Sequence, residues 1–433
     1  MPPAIAQTSV PSAPVPAPGR PHPLKERILS GGLPDKPSLP VAFSIPVEPL
    51  GFSPPGPLYL GQRISLESLD FLDENHLLFT FRVPGLLHRT ADSEGNERQI
   101  RAVVLALPTG TVEAEALWTL HDRAPYLWML NNGHFLLRDR EDLSEGDATL
   151  VLKPFLRFPG LLIGLELDPT QKLMVTNSRE PVTQPQKPGV VGSPSTAAAG
   201  ITVDGDPQED APDLVVRILE RESGKVQLVS RVRSTVHLPI NTDGYVEILR
   251  GSGQQWFLNF DYFTGGSRVL GVADSACMPE TDFISQSTLV ISACEQDGRS
   301  RLTAMNTDGR PLWANSEEAT EIWPLLVKAS NGSLLARETL VVSHAVNAYQ
   351  PLSSDDIKGQ RVVVLDAATG EVALDTQASP IFDSGGNVAI SPSGRLVAVV
   401  NSGAIQVFNL PAPPPPATSA AKPAPTPGHL PSH

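Results

Sequence analysis

The stretch RVVVLDAATGEVALDTQASPIFDSGGNVAISPSGRLVAVVNSGAIQVFNL, residues 361–410, decides the fold. RVVVLD (361–366) and a second short run from Glu371 to Thr376 flank the turn AATG (367–370). After a loop come NVAIS (387–391), the turn Pro392-Ser393-Gly394, LVAVV (396–400) and AIQVFN (404–409). Short apolar runs bounded by Gly, Ser, Asn and Asp, with no helical period between them, predict an antiparallel β meander of four strands.

Outward from this unit, looser copies fill the chain. Hairpins on one plan, an apolar run, a polar turn and a second apolar run, occur at 69–81, 126–139, 162–176, 237–249, 282–294, 324–337 and 387–400. Asn132-Gly133, Asp243-Gly244, Asn331-Gly332 and Ser393-Gly394 supply the tight turns. A second element, strand, Gly turn, strand, lies between them at 103–112, 215–228, 257–270, 302–313 and 362–374, with 148–160 as its counterpart in the second unit. Four residues after a glycine stand Leu228, Val269, Trp313 and Leu374, an offset that predicts one shared layer of the sandwich. Seven such units predict radial repetition, a seven-bladed β-propeller of four-stranded antiparallel blades. The last unit offers only three strands before Pro411, so VAFSIPV (41–47) is expected to supply the missing outer strand and close the ring. Leu58–Leu60 is the alternative closure.

The units ending in TGEVAL (369–374) and DGRPLW (308–313) resemble the repeats of quinoprotein-type and WD40-like propellers, over roughly residues 41–410. Quinoprotein enzymes of this kind are usually eight-bladed with a Trp in most repeats and an adjacent Cys pair. Here only Trp313 holds that place and no adjacent Cys pair exists, so the quinone is not carried over and no cofactor is expected.

Composition limits the function. The chain has 433 residues, 33 basic against 47 acidic, for a net charge of -14, which disfavours nucleic-acid binding. No apolar run is long enough for a membrane-spanning helix. Residues 1–40 and 411–433 are Pro-rich and are expected to be disordered tails, and 178–212 a mobile insertion. Ala4-Ile5-Ala6-Gln7 resembles the end of a signal peptide whose start lies upstream of Met1, with cleavage after Ala6; the other reading is a chance Ala-x-Ala in an Ala/Pro-rich tail.

With strands A to D named from the axis outward, the long segments 84–99, 140–147, 178–212 and 338–360 all fall between B and C. Elaboration is therefore expected on the face carrying the B–C and D–A loops, where a ligand or partner would bind. His121-Asp122-Arg123, in a D–A loop, is the candidate binding group at the funnel of that face, either as an acid/base pair or as a loop satisfying its own backbone. Cys277 and Cys294 flank one hairpin and suggest a disulfide in an exported protein, or two thiols in a cytoplasmic one. The acidic residues Asp139, Glu141, Asp142, Glu145 and Asp147, and again Asp204, Asp206, Glu209 and Asp210, lack calcium-loop spacing, and the histidines lack zinc spacing; no metal site or catalytic set is expected. The reading is a monomeric, non-catalytic binding or scaffold propeller, periplasmic or secreted with the cytoplasm as alternative, whose partner is a protein or envelope component. The alternative is a propeller enzyme, a lactonase-like hydrolase or dehydrogenase-associated subunit, with its site in the axial funnel.

Overall fold

The computed structural model describes residues 26–54, 67–83, 97–121, 125–180, 214–345, 353–382 and 385–411. Two strands precede the first blade, β1 (Glu26–Ile28) and β2 (Phe43–Pro46). Seven sheets follow. Blade 1 is β3–β6 (Glu67–Phe71, His76–Arg82, Arg98–Ala106, Thr111–Leu120) and blade 2 is β7–β10 (Leu127–Met129, Phe135–Asp139, Asp142–Gly146, Lys153–Arg157). Blade 3 is β11–β14 (Leu161–Leu167, Leu173–Arg179, Leu214–Glu220, Val226–Val232) and blade 4 is β15–β17 (Gly244–Arg250, Gln255–Tyr262, Ser267–Asp274). Blade 5 is β18–β21 (Glu280–Ser285, Thr288–Cys294, Ser300–Asn306, Pro311–Ser316) and blade 6 is β22–β25 (Glu321–Lys328, Leu334–Val342, Ile357–Asp366, Val372–Ala378). Blade 7 is β26–β28 (Val388–Ile390, Leu396–Asn401, Ala404–Asn409). The chain is an all-β, seven-bladed propeller, and the helical segments described are two short 3₁₀ turns.

The ring closes as its sequence predicts. β2 pairs antiparallel with β28, Phe43 opposite Val407 and Ile45 opposite Ile405. Ile45 and Val47 enter the core between blades 7 and 1 with Phe52, Phe79 and Phe81. The alternative at Leu58–Leu60 lies outside the described residues. In blade 4 the inner strand is reduced to one bridge, Ile240 to Tyr245, because Pro239 has no N–H to give to a ladder.

Three expectations are corrected. Residues 26–40, expected in a tail, form a strap over the rim that runs on into the closing segment: β1 lies parallel to β21, the Ser30 carbonyl accepts from Arg361 (2.6 Å), Ser38 N donates to the Asp375 carbonyl (2.9 Å), and Ala42 N donates to that of Val407 (2.8 Å). Pro-rich chain needs no ladder of its own when neighbouring blade edges supply the partners. Residues 142–146, expected in a B–C insertion, are strand β9, joined to β8 by a two-residue turn in which Arg140 takes φ 55°. Its Leu143 is buried, its Glu145 is matched by His134 (2.7 Å), and Glu141 in the turn before it is matched by Arg157 (2.7 Å). The segment from Glu338 onward is likewise strand: β23 runs to Val342 and β24 starts at Ile357.

The glycine offset holds for Trp313 and Leu374, both buried, and for the partly buried Leu228. Val269 is exposed; its neighbour Leu270 is buried instead. Blade 4 has two turn glycines, and Leu270 stands four after the second, Gly266, so the register is set by the glycine nearer the outer strand.

Candidate functional site

The two faces of the disc differ. On the A–B/C–D face the turns are short and tied to one another around the axis. Glu74 accepts from Ser393 N (2.7 Å) and Oγ (2.8 Å), and Asn331 Nδ2 donates to the Ser393 carbonyl (2.8 Å). Gln286 Oε1 accepts from Thr242 N (2.9 Å) while its Nε2 reaches Asp168 Oδ2 (3.0 Å), linking blades 4, 5 and 3; Gln171 Nε2 donates to the Met129 carbonyl (3.0 Å), linking blades 3 and 2.

On the opposite face lie the described ends of the connections that follow β4, β12 and β23: Val83 and Glu97, Glu180 and Leu214, Ser343 and Ser353. It also carries the buried charge. Among the described residues, Glu67, Arg138, Glu180, Glu317 and Glu321 are buried at strand ends or in connections on this side. Arg337, Glu338 and Arg361 are buried at mid-strand, the two arginines being reached from this side by Glu317 and Glu321. Among the described residues, Asp168 is the one buried charged side chain on the other face. Arg337 Nη2 donates to Glu317 (2.5 Å) and Ser300 Oγ (2.7 Å). Burial pushes Glu317 up to about 7 in spite of the guanidinium, and lowers Arg337. Arg361 donates to Glu321 (2.5 Å), to Asp375 (2.6 Å) and to the strap at Ser30, so the strap is locked onto the ionic layer. Arg217 pairs with Glu180 and Ser178 where β12 ends. Unmatched buried charge is costly, so such a layer survives only with partners set in geometry.

A cleft of about 350 Å³ opens on this same face between the strap and blades 5 and 6. Its polar lining is Glu318, Thr320, Ser343 and Lys358, and Gly31 and Gly32 form the strap side. Gly31 passes close to Glu318: a Cβ there would lie 2.8 Å from its carboxyl and make that side chain shift.

His121 leaves the outermost strand of blade 1, and Asp122 and Arg123 lie outside the described residues. The His121 ring faces Asp139 through Nδ1 (3.0 Å) and Glu97 through Nε2 (3.5 Å), and its backbone N donates to Asp139 (2.8 Å). Burial lowers its pKa but the two carboxylates raise it further, so the charged form is favoured and the ring clasps blades 1 and 2. The acidic residues beside it are all committed: Asp139 to His121, Glu141 and Asp142 to Arg157, Glu145 to His134, Asp147 to Thr149.

His237 lies in the connection that leads from blade 3 into blade 4, and the sequence reads it only as a histidine without zinc spacing. Its Nδ1 meets Glu166 of blade 3 (2.8 Å) and its Nε2 donates to the Thr281 carbonyl of blade 5 (2.6 Å). Burial opposes the charge, but Glu166 and the carbonyl push the pKa to about 9. With both nitrogens donating, the ring has no lone pair to act as a base. Next to it Lys328 Nζ donates to Asp282 (2.6 Å) and to the Phe283 carbonyl (3.2 Å). Cys277 and Cys294 form a disulfide, with Cα atoms 5.5 Å apart, that ties the blade 4–5 connection to β19.

No protein-family model matches the chain, and no curated protein matches it. Solved structures do. An acylaminoacyl peptidase of Pyrococcus horikoshii aligns at 8% identity and TM-score 0.46, over 81% of this chain and 52% of that one, so the chain spans about half the length of that enzyme. The β-propeller domain of the Trilobed protease from Pyrococcus furiosus aligns at 10% identity and TM-score 0.41, over 81% and 95%. Chaetomium thermophilum Sqt1, solved bound to the N-terminus of ribosomal protein L10, aligns at 10% identity and TM-score 0.41, over 81% and 98%. At these identities the likeness is one of fold.

Proposed function

We propose that this chain is a binding propeller that engages a protein or envelope component through its B–C/D–A face. One observation carries the reading: among the described residues, the strap-bordered cleft, the ends of the longest connections and all but one of the buried charged side chains share that face, while the other is closed by tight turns bonded to one another. Loops presented by a rigid ring are the usual seat of recognition. A layer of fixed ionic pairs beneath them holds the loop bases in register at a cost in stability that packing alone would avoid. The axial histidine is held as a donor on both sides, which suits bracing the ring. Export agrees with the Cys277–Cys294 bond, since disulfides persist in oxidising compartments.

The test is a comparison of faces. Lys358→Glu changes an exposed charge at the cleft; Lys172→Glu with Lys225→Glu changes exposed charges on the opposite face. Affinity capture from the native host with each variant should lose a specific partner for Lys358→Glu and keep it for the double variant. The reading fails if the pattern is reversed or both variants retain the same partner at equal yield.

A further inference from the structure

The rim of the ring is closed unevenly. Blade 5 is a five-stranded sheet because β1 adds to the edge of β21, Ser38 bonds to Asp375 on the edge of β25, and β2 covers β28. Blade 4 ends at β17, with no strand beyond it among the described residues. The other uncovered outer strands break their apolar runs with charge, proline or polar residues that blunt an edge: Glu113 and Glu115 in β6, Pro154 in β10, Gln227 and Ser230 in β14. β17 instead presents VLGVA, residues 269–273, without a charge or a proline.

The backbone of β17 is set for pairing. Tyr262 N donates to the Gly266 carbonyl (3.0 Å) and Ser275 N to that of Gln254 (2.9 Å), which fixes the alternation of the ladder at both ends. With one bulge between, Ser267, Val269, Val272 and Asp274 fall at the non-bonded positions opposite β16 and turn their N–H and C=O groups to the open side. A similar bulge in blade 5 does not keep β1 from its edge. Val269 and Val272 are 56% and 50% exposed, and Phe257, across from Val272, is 37% exposed.

The charge beside this edge has one sign. Val246, Leu258, Phe260 and Leu270 pack toward blade 5, so alternation turns Phe257, Val269 and Val272 toward blade 3, together with Glu247, Asp261 and Asp274. None of these three acids has an ion pair among the described residues, and the basic residues of the blade 4 strands, Arg250 and Arg268, lie on the other face. Asp261 stands across from Ser267 at one end of β17 and Asp274 closes the other, about 20 Å away.

We propose that the β17 edge takes up one extended segment of a partner protein as an added strand, apolar at its centre and basic at both ends. Main-chain hydrogen bonds supply the hold, and Val269, Val272 and Phe257 the apolar contact. The two aspartates select Lys or Arg at the ends. A second copy of β17, paired antiparallel, would bring Asp274 of each chain to the end where the other holds Asp261, like charge against like. The contact is lateral and separate from the one at the B–C/D–A face.

The full chain is titrated at low salt with a fluorescent eight-residue peptide of alternating Thr and Val with Lys at both ends, and with its counterpart ending in Glu. Anisotropy reads binding, amide exchange reads Val269 and Val272 before and after peptide, and sedimentation reads self-association. The Lys peptide should bind at least tenfold more tightly than the Glu peptide and should slow exchange at both valines. Val272→Lys, at an exposed position, should weaken binding at least tenfold, while Val112→Lys on the β6 edge leaves it unchanged. The proposal is overturned if neither peptide binds at millimolar concentration, if the two bind equally, or if Val272→Lys binds as the wild type does. It is overturned equally if the wild type is a dimer that Val272→Lys makes monomeric, or if both amides are already slow before peptide is added.

Discussion

Replacing Glu317 by Ala should cost about 3 kcal/mol and lower the unfolding midpoint by about 5 °C. Glu317 and Arg337 are each 1% exposed at the side chain, and Glu317 is the direct carboxylate partner of the guanidinium. Breaking a buried pair by removing one member ordinarily costs 3–5 kcal/mol, because the other charge stays behind. Here the lower end is expected: Ser300 Oγ keeps its bond to Arg337, and Glu321 lies close enough to raise the arginine's pKa. With about 2 cal/mol/K of unfolding entropy per residue over roughly 300 folded residues, 3 kcal/mol is about 5 °C. The double replacement Glu317→Leu with Arg337→Met removes both charges and should be neutral or stabilising by about 1–4 kcal/mol. Burial already pushes Glu317 up to about 7, so ionising it costs the folded state; this group's contribution is complete below its ordinary value of 4.5 and lost as pH rises through 7. Denaturant titration of both variants at pH 8 is the assay. If Glu317→Ala stays within about 1 kcal/mol of wild type, or the double variant is the worse of the two, the ionic layer is not what the burial implies.

Other outcomes follow from the same geometry. His237→Gln should lose about 1–2 kcal/mol near pH 6, discounted for a side chain 46% exposed, and almost nothing above pH 9, because a histidine raised to about 9 stabilises fully below 6.5 and ceases to as pH passes 9; stability curves against pH check this. Ile45→Ala, in the closing strand, should cost about 2–5 kcal/mol in chemical denaturation. Reduction of Cys277–Cys294, which closes a loop of sequence separation 17, should cost about 3 kcal/mol, measured by unfolding with and without reductant.

The wheel was legible in the sequence because its determinants are local. Turn residues such as Asn331-Gly332 and Ser393-Gly394 punctuate apolar runs whose burial follows from their own composition, and VAFSIPV alternates so that Ile45 and Val47 face inward. β1 was not legible, since three residues, ERI, carry no period and pair only because blade 5 offers an edge. β9 was hidden by its charges: one buried Leu143 among four acidic or small residues reads as loop until Arg157 arrives from β10 and His134 from the turn before β8. The ionic layer was hidden for the same reason. Arg337 and Glu338 read as the end of a hairpin and the start of an insertion, whereas they lie in the middle of a strand buried along its whole length, with partners at Ser300, Glu317 and Gln360. Pairings between distant segments leave no local pattern, and the same holds for His237 and Glu166.

The central claim, that one face of the ring receives the partner, is tested most directly by amine cross-linking of the native complex followed by mass spectrometry. Exposed lysines stand on both sides: Lys358 beside the cleft, Lys172 and Lys225 at the tight turns opposite. The account predicts cross-links from the partner to Lys358 and none to Lys172 or Lys225; partner cross-links confined to Lys172 and Lys225 would contradict it.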